Sequence, residues 1–82
     1  MEIKVLATKG CANCNAFYEN VCKAVEAGQF NVTVTKIDDL MVILSYKVLS
    51  MPALIINEKV VHYGKKLSVE EIKQMLDTYQ KA

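Results

Sequence analysis

The chain has 82 residues, of which 52% are hydrophobic and 23% are charged, and its formal net charge is +1. A chain of this length has room for a single core, so we expect residues 1–82 to form one domain. A net charge so close to zero provides no basic surface for nucleic acid, and no apolar run approaches the roughly 18 residues of a membrane helix.

The first predicted elements are a strand and a helix. Residues 3–7 are short and apolar, which is typical of a strand that is buried on both faces. Residues 12–27 carry Phe17, Val21 and Ala24 at helical spacing, and Gly28 follows as a helix stop. A strand followed directly by a helix is therefore predicted at the amino terminus.

A second strand and a short helix follow. Residues 32–37 are rich in β-branched side chains, which favour a strand. Asp38 or Asp39 can then cap a short helix over about residues 40–46. The side chains that we expect this helix to bury are Leu40, Ile43 and Leu44.

The last third of the chain predicts a hairpin and a final helix. After Pro52, residues 53–56 form an apolar strand, and a tight turn at 57–59 leads into a fourth strand over 60–63. Ser68 and Glu71 have the spacing of a capping box at the start of a helix. The side chains that we expect this helix to bury are Val69, Ile72, Met75, Leu76 and Tyr79.

The predicted order of elements is therefore βαβαββα, and the predicted class is α/β. The first strand, the crossover helix and the second strand imply a parallel pair with a right-handed connection. The hairpin adds two antiparallel strands, which gives a four-stranded mixed sheet with helices on both faces.

Cys11 and Cys14 form a CxxC pair at the junction between the first strand and the first helix. Unpaired backbone N–H groups and the helix dipole favour a thiolate at this junction, so we expect the pKa of Cys11 to lie below the free value of about 8.5. Cys14 is three residues further on, which is within reach of a disulfide, and it begins the buried stripe of the helix. The pattern predicts that Cys11 is the exposed catalytic nucleophile and that Cys14 is the sheltered resolving thiol.

Two segments, GCANC at residues 10–14 and SMPALIIN at residues 50–57, together resemble the thioredoxin superfamily. More narrowly, the chain is similar to the very small redox-active disulfide proteins of bacteria and archaea. The resemblance implies a thioredoxin-like fold and thiol–disulfide oxidoreductase activity. It also implies a cis Met51–Pro52 bond that faces the disulfide, and an X–Pro bond makes the cis form accessible. A partner chain could then add beside Met51 and Pro52 as a short strand, which makes these two residues the expected substrate-binding site.

The expected partners are a disulfide-containing protein substrate and an upstream reductase, and we expect neither a cofactor nor a bound metal. No signal peptide is visible before the first strand, so we expect a cytoplasmic monomer, a setting in which a CxxC pair is more often catalytic or metal-binding than structural.

The sequence also departs from the thioredoxin pattern. Ala-Asn separates the cysteines in place of Gly-Pro, and the first strand has no acidic residue beyond Glu2 that would correspond to the buried carboxylate of thioredoxins. Lys9 is a possible charge beside Cys11. Cys22 is expected to be a small buried hydrophobe, with a third redox thiol or a regulatory modification site as its alternatives. His62 is expected to be a surface or half-packed residue on an edge strand.

Two other functions fit a CxxC pair. Copper chaperone domains also place CxxC at the start of a helix, and thiolates suit Cu(I), but those domains have the order βαββαβ. Zinc would need Cys22 or His62 as further ligands, at a spacing that matches no common pattern. Besides metal binding, the chain could be a thioredoxin-like binding module that does not turn over. The sequence offers little that distinguishes such a module from an enzyme.

Overall fold

The computed structural model describes residues 2–8, 11–48, 50–65 and 67–81, and it has the predicted order βαβαββα. Lys9 and Gly10 lie outside the described residues. The strands are β1 (Glu2–Leu6), β2 (Thr33–Ile37), β3 (Ala53–Ile56) and β4 (Lys59–Tyr63). The helices are α1 (Ala12–Ala27), α2 (Leu40–Ser45) and α3 (Val69–Lys81).

The four strands form one mixed sheet in the order β2-β1-β3-β4. β1 pairs with β2 in parallel and with β3 in antiparallel, and β3 pairs with β4 in antiparallel. β1 and β3 are therefore the central strands, which fits the wholly apolar sequence of β3 and the buried Ile3, Val5 and Leu6 of β1. The predicted α/β class and mixed sheet are confirmed.

Helices α1 and α3 cover one face of the sheet. Phe17, Val21 and Ala24 of α1 are fully buried there, as their helical spacing predicts. On α3, Ile72 and Leu76 are fully buried and Val69 and Met75 pack partly against the same cluster. Tyr79 is 39% exposed, so the prediction that α3 buries it was wrong.

Helix α2 covers the opposite face and buries only Ile43, which packs with Leu6, Ala53 and Ile55. Leu40 and Leu44, predicted to share this buried stripe, are 60% and 58% exposed. The prediction was wrong for both because a helix of six residues meets the sheet along less than its full stripe. No helix among the described residues is long and apolar enough to cross a membrane.

Local sequence signals fix the ends of the short elements. The Asp39 side chain accepts a hydrogen bond from the Met41 amide and caps α2, and Ser68 and Glu71 bond each other's backbone amides as a capping box predicts. Asn57 and Glu58 join β3 to β4 with φ of 52° and 68°, the positive pair of a type I′ hairpin turn.

A polar network ties the end of α2 to this hairpin turn. The Lys4 ammonium donates to the Tyr46 hydroxyl at 3.2 Å and pairs with the Glu58 carboxylate. The hydrogen bond to Lys4 holds the pKa of Glu58 below its usual value, and the same bond raises the pKa of Lys4. The network therefore fixes Tyr46, the C-cap of α2, against β1.

Candidate active site

Cys11 is the N-cap residue of α1, with an extended backbone (φ −92°, ψ 105°). Its side chain makes no capping hydrogen bond, and the first turn of the helix contains no acidic residue. The free N–H groups at this end and the positive end of the helix dipole are therefore not offset by an acid of the helix itself.

Cys11 and Cys14 are joined in a disulfide, with their Cα atoms 5.3 Å apart. This separation is within the usual range for a disulfide, so the i,i+3 spacing brings the two sulfurs together as predicted. Cys22 is free. The pair is thus a closed disulfide in the fold as described.

The two cysteines differ in their access to solvent. Cys14 is fully buried in the cluster beneath α1 and α3, whereas Cys11 is half-buried and packs against the edge of that cluster. A reagent that approaches from outside can therefore reach Cys11 before Cys14.

The register of the sheet brings Met51 and Pro52 to the same end of the sheet as the cysteines. Leu6, the last residue of β1, pairs with Ala53, so Cys11, which follows β1 in the chain, and Met51, which precedes β3, lie beyond the same end of this strand pair. The Met51–Pro52 bond is cis, as the resemblance implies. Pro52 is buried, its carbonyl accepts a hydrogen bond from the Gly64 amide at 2.9 Å, and Met51 packs against both core clusters.

The surroundings of Cys14 are apolar. Among the described residues, no polar or charged side chain is fully buried. Val5 and Leu54, which pair with each other, belong to the same cluster as Cys14. Glu2 is exposed at the opposite end of β1 and pairs with Lys4 at 3.4 Å, so it is no substitute for a buried carboxylate near the cysteines.

One side of α1 carries a series of polar side-chain contacts that the sequence does not predict. The Lys36 ammonium of β2 donates to Asn15 Oδ1 at 2.7 Å and lies 5.5 Å from the centre of the Tyr18 ring. A side-chain hydrogen bond with Cys22, followed by the charge of Cys22 and by burial, raises the pKa of the Tyr18 phenol. Cys22 is half-buried beside a polar partner, so the prediction of a simple buried hydrophobe was wrong.

His62 is half-buried on β4, as predicted. Its ring stacks on Phe17 with the ring centres 6.2 Å apart, and its Nε2 is 2.7 Å from the Lys65 carbonyl oxygen. Because a carbonyl can only accept, Nε2 carries the proton in this contact. Within residues 2–8, 11–48, 50–65 and 67–81, no group of three or more His, Cys, Asp and Glu side chains is arranged to hold a metal ion.

The comparisons with known proteins agree with this geometry. A family model described as a thioredoxin domain matches residues 1–77. The chain is 39% identical over 77 residues to a thioredoxin of Methanocaldococcus jannaschii, a match that spans 94% of this chain and 87% of the relative.

The chain belongs to the thioredoxin family. Its fold is similar to that of thioredoxin 1 from Thermosipho africanus, with a TM-score of 0.67 and 18% identity over 99% of this chain and 96% of the other. A malarial protein of known structure has a TM-score of 0.73 and 14% identity over 94% of this chain and 93% of the other. Membership of the thioredoxin family, with Cys11 and Cys14 at disulfide distance, supports a role in thiol–disulfide redox chemistry.

Proposed function

We propose that this protein is a thiol–disulfide oxidoreductase in which Cys11 is the nucleophile and Cys14 is the resolving thiol. The observation that carries the proposal is the difference in burial between two bonded cysteines at the start of α1. Cys11 is accessible and lies where a thiolate is stabilised, whereas Cys14 is fully buried and close enough to bond Cys11.

The proposed reaction has two exchange steps. The Cys11 thiolate attacks one sulfur of a partner disulfide, so that a mixed disulfide forms and the other partner sulfur leaves as a thiolate. The Cys14 thiolate then attacks Cys11 Sγ, which releases the second partner sulfur and closes the Cys11–Cys14 disulfide. The partner gains two electrons and, after protonation, two protons, and an upstream dithiol reductase returns two electrons to the pair.

Met51 and Pro52 are the proposed substrate-binding residues. Among the described residues, no backbone hydrogen bond uses the amide or the carbonyl of Met51. An extended segment of the partner protein can therefore pair with the Met51 backbone as a short additional strand. This pairing would present the partner disulfide at the end of the sheet where Cys11 lies.

The proposal includes a disulfide-containing protein as substrate and a reductase as electron donor. It also includes a single domain over residues 1–82 that acts as a monomer in the cytoplasm, where thiols are kept reduced and a cycling disulfide is useful. The element order βαβαββα is not the βαββαβ order of copper chaperone domains, which favours redox chemistry over copper transfer.

The proposal is tested by alkylation of the intact protein followed by mass measurement. We expect mild oxidation to remove two hydrogens from the protein and a reductant to restore them. In the oxidised protein, Cys11 and Cys14 should be protected from alkylation, whereas Cys22 should be alkylated in both states. A Cys22→Ser variant is the matched control and should show the same reversible change. The proposal would be contradicted if Cys11 and Cys14 formed no disulfide on mild oxidation. It would also be contradicted if they were protected from alkylation only by added Cu(I), without an internal disulfide.

A further inference from the structure

The segment that joins α2 to β3 carries Met51, and few backbone hydrogen bonds hold it. At its start, the Lys47 amide donates to the Leu44 carbonyl at 3.0 Å, which closes the end of α2. From there to Met51, no described residue forms a backbone–backbone hydrogen bond. At its end, the Pro52 carbonyl accepts from the Gly64 amide at 2.9 Å. The position of Met51 is therefore set by the two ends of the segment and by side-chain packing.

Tyr46 anchors the start of this segment through its hydroxyl. The hydroxyl donates to Glu58 Oε2 at 3.2 Å and accepts from the Lys4 ammonium at 3.2 Å. The same ammonium pairs with the Glu58 carboxylate and lies 6.0 Å from the centre of the Tyr46 ring. Lys4 belongs to β1 and Glu58 to the turn between β3 and β4, so the hydroxyl is held to two separate parts of the sheet.

The Tyr46 ring and the Met51 side chain share one apolar surface. Lys4 and Leu6 are alternate residues of β1, so their side chains project from the same face of the sheet. On that face, Tyr46, Val48 and Met51 pack against a cluster made of Leu6, Ile43, Ala53 and Ile55. Because packed side chains transmit displacement, a shift of the Tyr46 ring over this cluster also shifts Met51.

The contacts of Tyr46 contribute little to the stability of the fold as a whole. The Lys4 side chain is 23% exposed and that of Glu58 is 61% exposed, and water screens an ion pair that is so exposed. The Tyr46 hydroxyl, in contrast, uses both a donor and an acceptor, which fixes the direction of the ring. The main consequence of these contacts is therefore the position of Tyr46.

A fixed Met51 backbone matters for one class of substrate. The proposed function pairs the free amide and carbonyl of Met51 with an extended segment of the partner. A backbone that is already in place loses less conformational entropy when this pairing forms, so the partner binds more tightly. A disulfide that is too small to form a strand makes no such pairing and gains nothing from the position of Met51.

We propose that Tyr46 is a positioning residue whose hydroxyl, held by Lys4 and Glu58, fixes the segment that carries Met51 and so sets the affinity for disulfides in extended polypeptides. The inference rests on the proposed function, because it requires Met51 to bind substrate and Cys11 to react with it. The chemical class of substrate is a disulfide within a peptide or protein chain, as distinct from a small dialkyl disulfide.

The test compares two oxidants of the reduced protein, a peptide that contains one disulfide and 2-hydroxyethyl disulfide. The rate at which the Cys11–Cys14 disulfide closes is measured in single turnovers by quenching, alkylation and mass. For Tyr46→Phe, which keeps the ring, we expect the peptide concentration at half-maximal rate to rise about twofold to fivefold, the usual effect of losing a neutral hydrogen bond. The maximal rate with the peptide and the rate with 2-hydroxyethyl disulfide should equal those of the native protein.

Two further variants show whether the hydroxyl acts through its partners. Tyr79→Phe removes a phenol hydroxyl from an exposed position on α3 and is the matched control, which should behave as the native protein with both oxidants. Lys4→Met should also raise the half-maximal peptide concentration. The double variant of Lys4 and Tyr46 should raise it by less than the product of the two single effects, because the residues act together. Denaturant midpoints establish that each variant is folded in the assay.

The outcomes separate this inference from the proposed function. The role of Tyr46 is overturned if Tyr46→Phe reacts with the peptide as the native protein does. It is also overturned if the variant slows by the same factor with both oxidants, which would indicate a general disturbance of the site. Both results leave the proposed function intact. If the native protein closes its Cys11–Cys14 disulfide with neither oxidant, the proposed function is overturned and this inference with it.

Discussion

A Cys11→Ser variant is expected to lose disulfide reduction almost completely, by a factor on the order of a thousand or more. The reason is chemical: only a thiolate attacks a disulfide at a useful rate, and a serine hydroxyl does not ionise near neutral pH. Cys14 cannot replace Cys11, because it is fully buried while Cys11 is accessible. The measurement is the rate at which the protein, with excess dithiol as electron donor, reduces a protein disulfide.

Cys22→Ser is the control for this loss. It removes a sulfur from the same helix without touching the Cys11–Cys14 bond, so we expect its rate to stay close to that of the native protein. A Cys11→Ser protein as active as the native one would rule out Cys11 as the nucleophile. A native protein with no rate above the dithiol alone would instead indicate a binding module that does not turn over.

Ile43→Ala is expected to lower the free energy of unfolding by about 2–4 kcal/mol, whereas Leu44→Ala should lower it by less than about 0.5 kcal/mol. The two residues are adjacent on α2 and have the same number of side-chain carbons, but Ile43 is 4% exposed and Leu44 is 58% exposed. Only Ile43 therefore leaves a cavity when it is shortened.

Denaturant unfolding of the two α2 variants provides the comparison, with the midpoint and the slope measured for each. Since a domain of this size is stable by only about 5–15 kcal/mol, the loss in Ile43→Ala should be visible as a clear shift of the midpoint. Equal losses in the two variants would contradict the arrangement in which Ile43 alone faces the sheet.

The regular elements of the fold could be predicted because their signals are local. The apolar runs of β1 and β3, the helical spacing of α1 and the Ser68–Glu71 capping box each depend on residues that are close in the chain. Burial on α2 could not be predicted in the same way. Leu40, Ile43 and Leu44 all fit a helical stripe, and the contact of Ile43 with Leu6 and Ala53 is set by how the short helix lies on the sheet.

The same distinction applies to the site. The CxxC spacing and its place before α1 mark Cys11 and Cys14 as the candidate site from sequence alone, but the position of Met51 at the same end of the sheet follows from the pairing of β1 with β3. The hydrogen bond between Lys36 and Asn15 joins residues 21 positions apart in the chain, so no local sequence pattern predicts it. A usable signal was present: a lysine near the end of the strand parallel to β1 lies beside the start of the crossover helix.

The most direct test of the central claim is a Cys14→Ser variant incubated, in its reduced form, with a peptide that contains a single disulfide. Without Cys14 the second exchange cannot occur, so the account predicts that a mixed disulfide with the peptide accumulates on Cys11 and is released by added dithiol. Peptide mapping by mass measures where the adduct is. An adduct that forms on Cys22, or no adduct at all on Cys11 in the folded variant, would contradict the account.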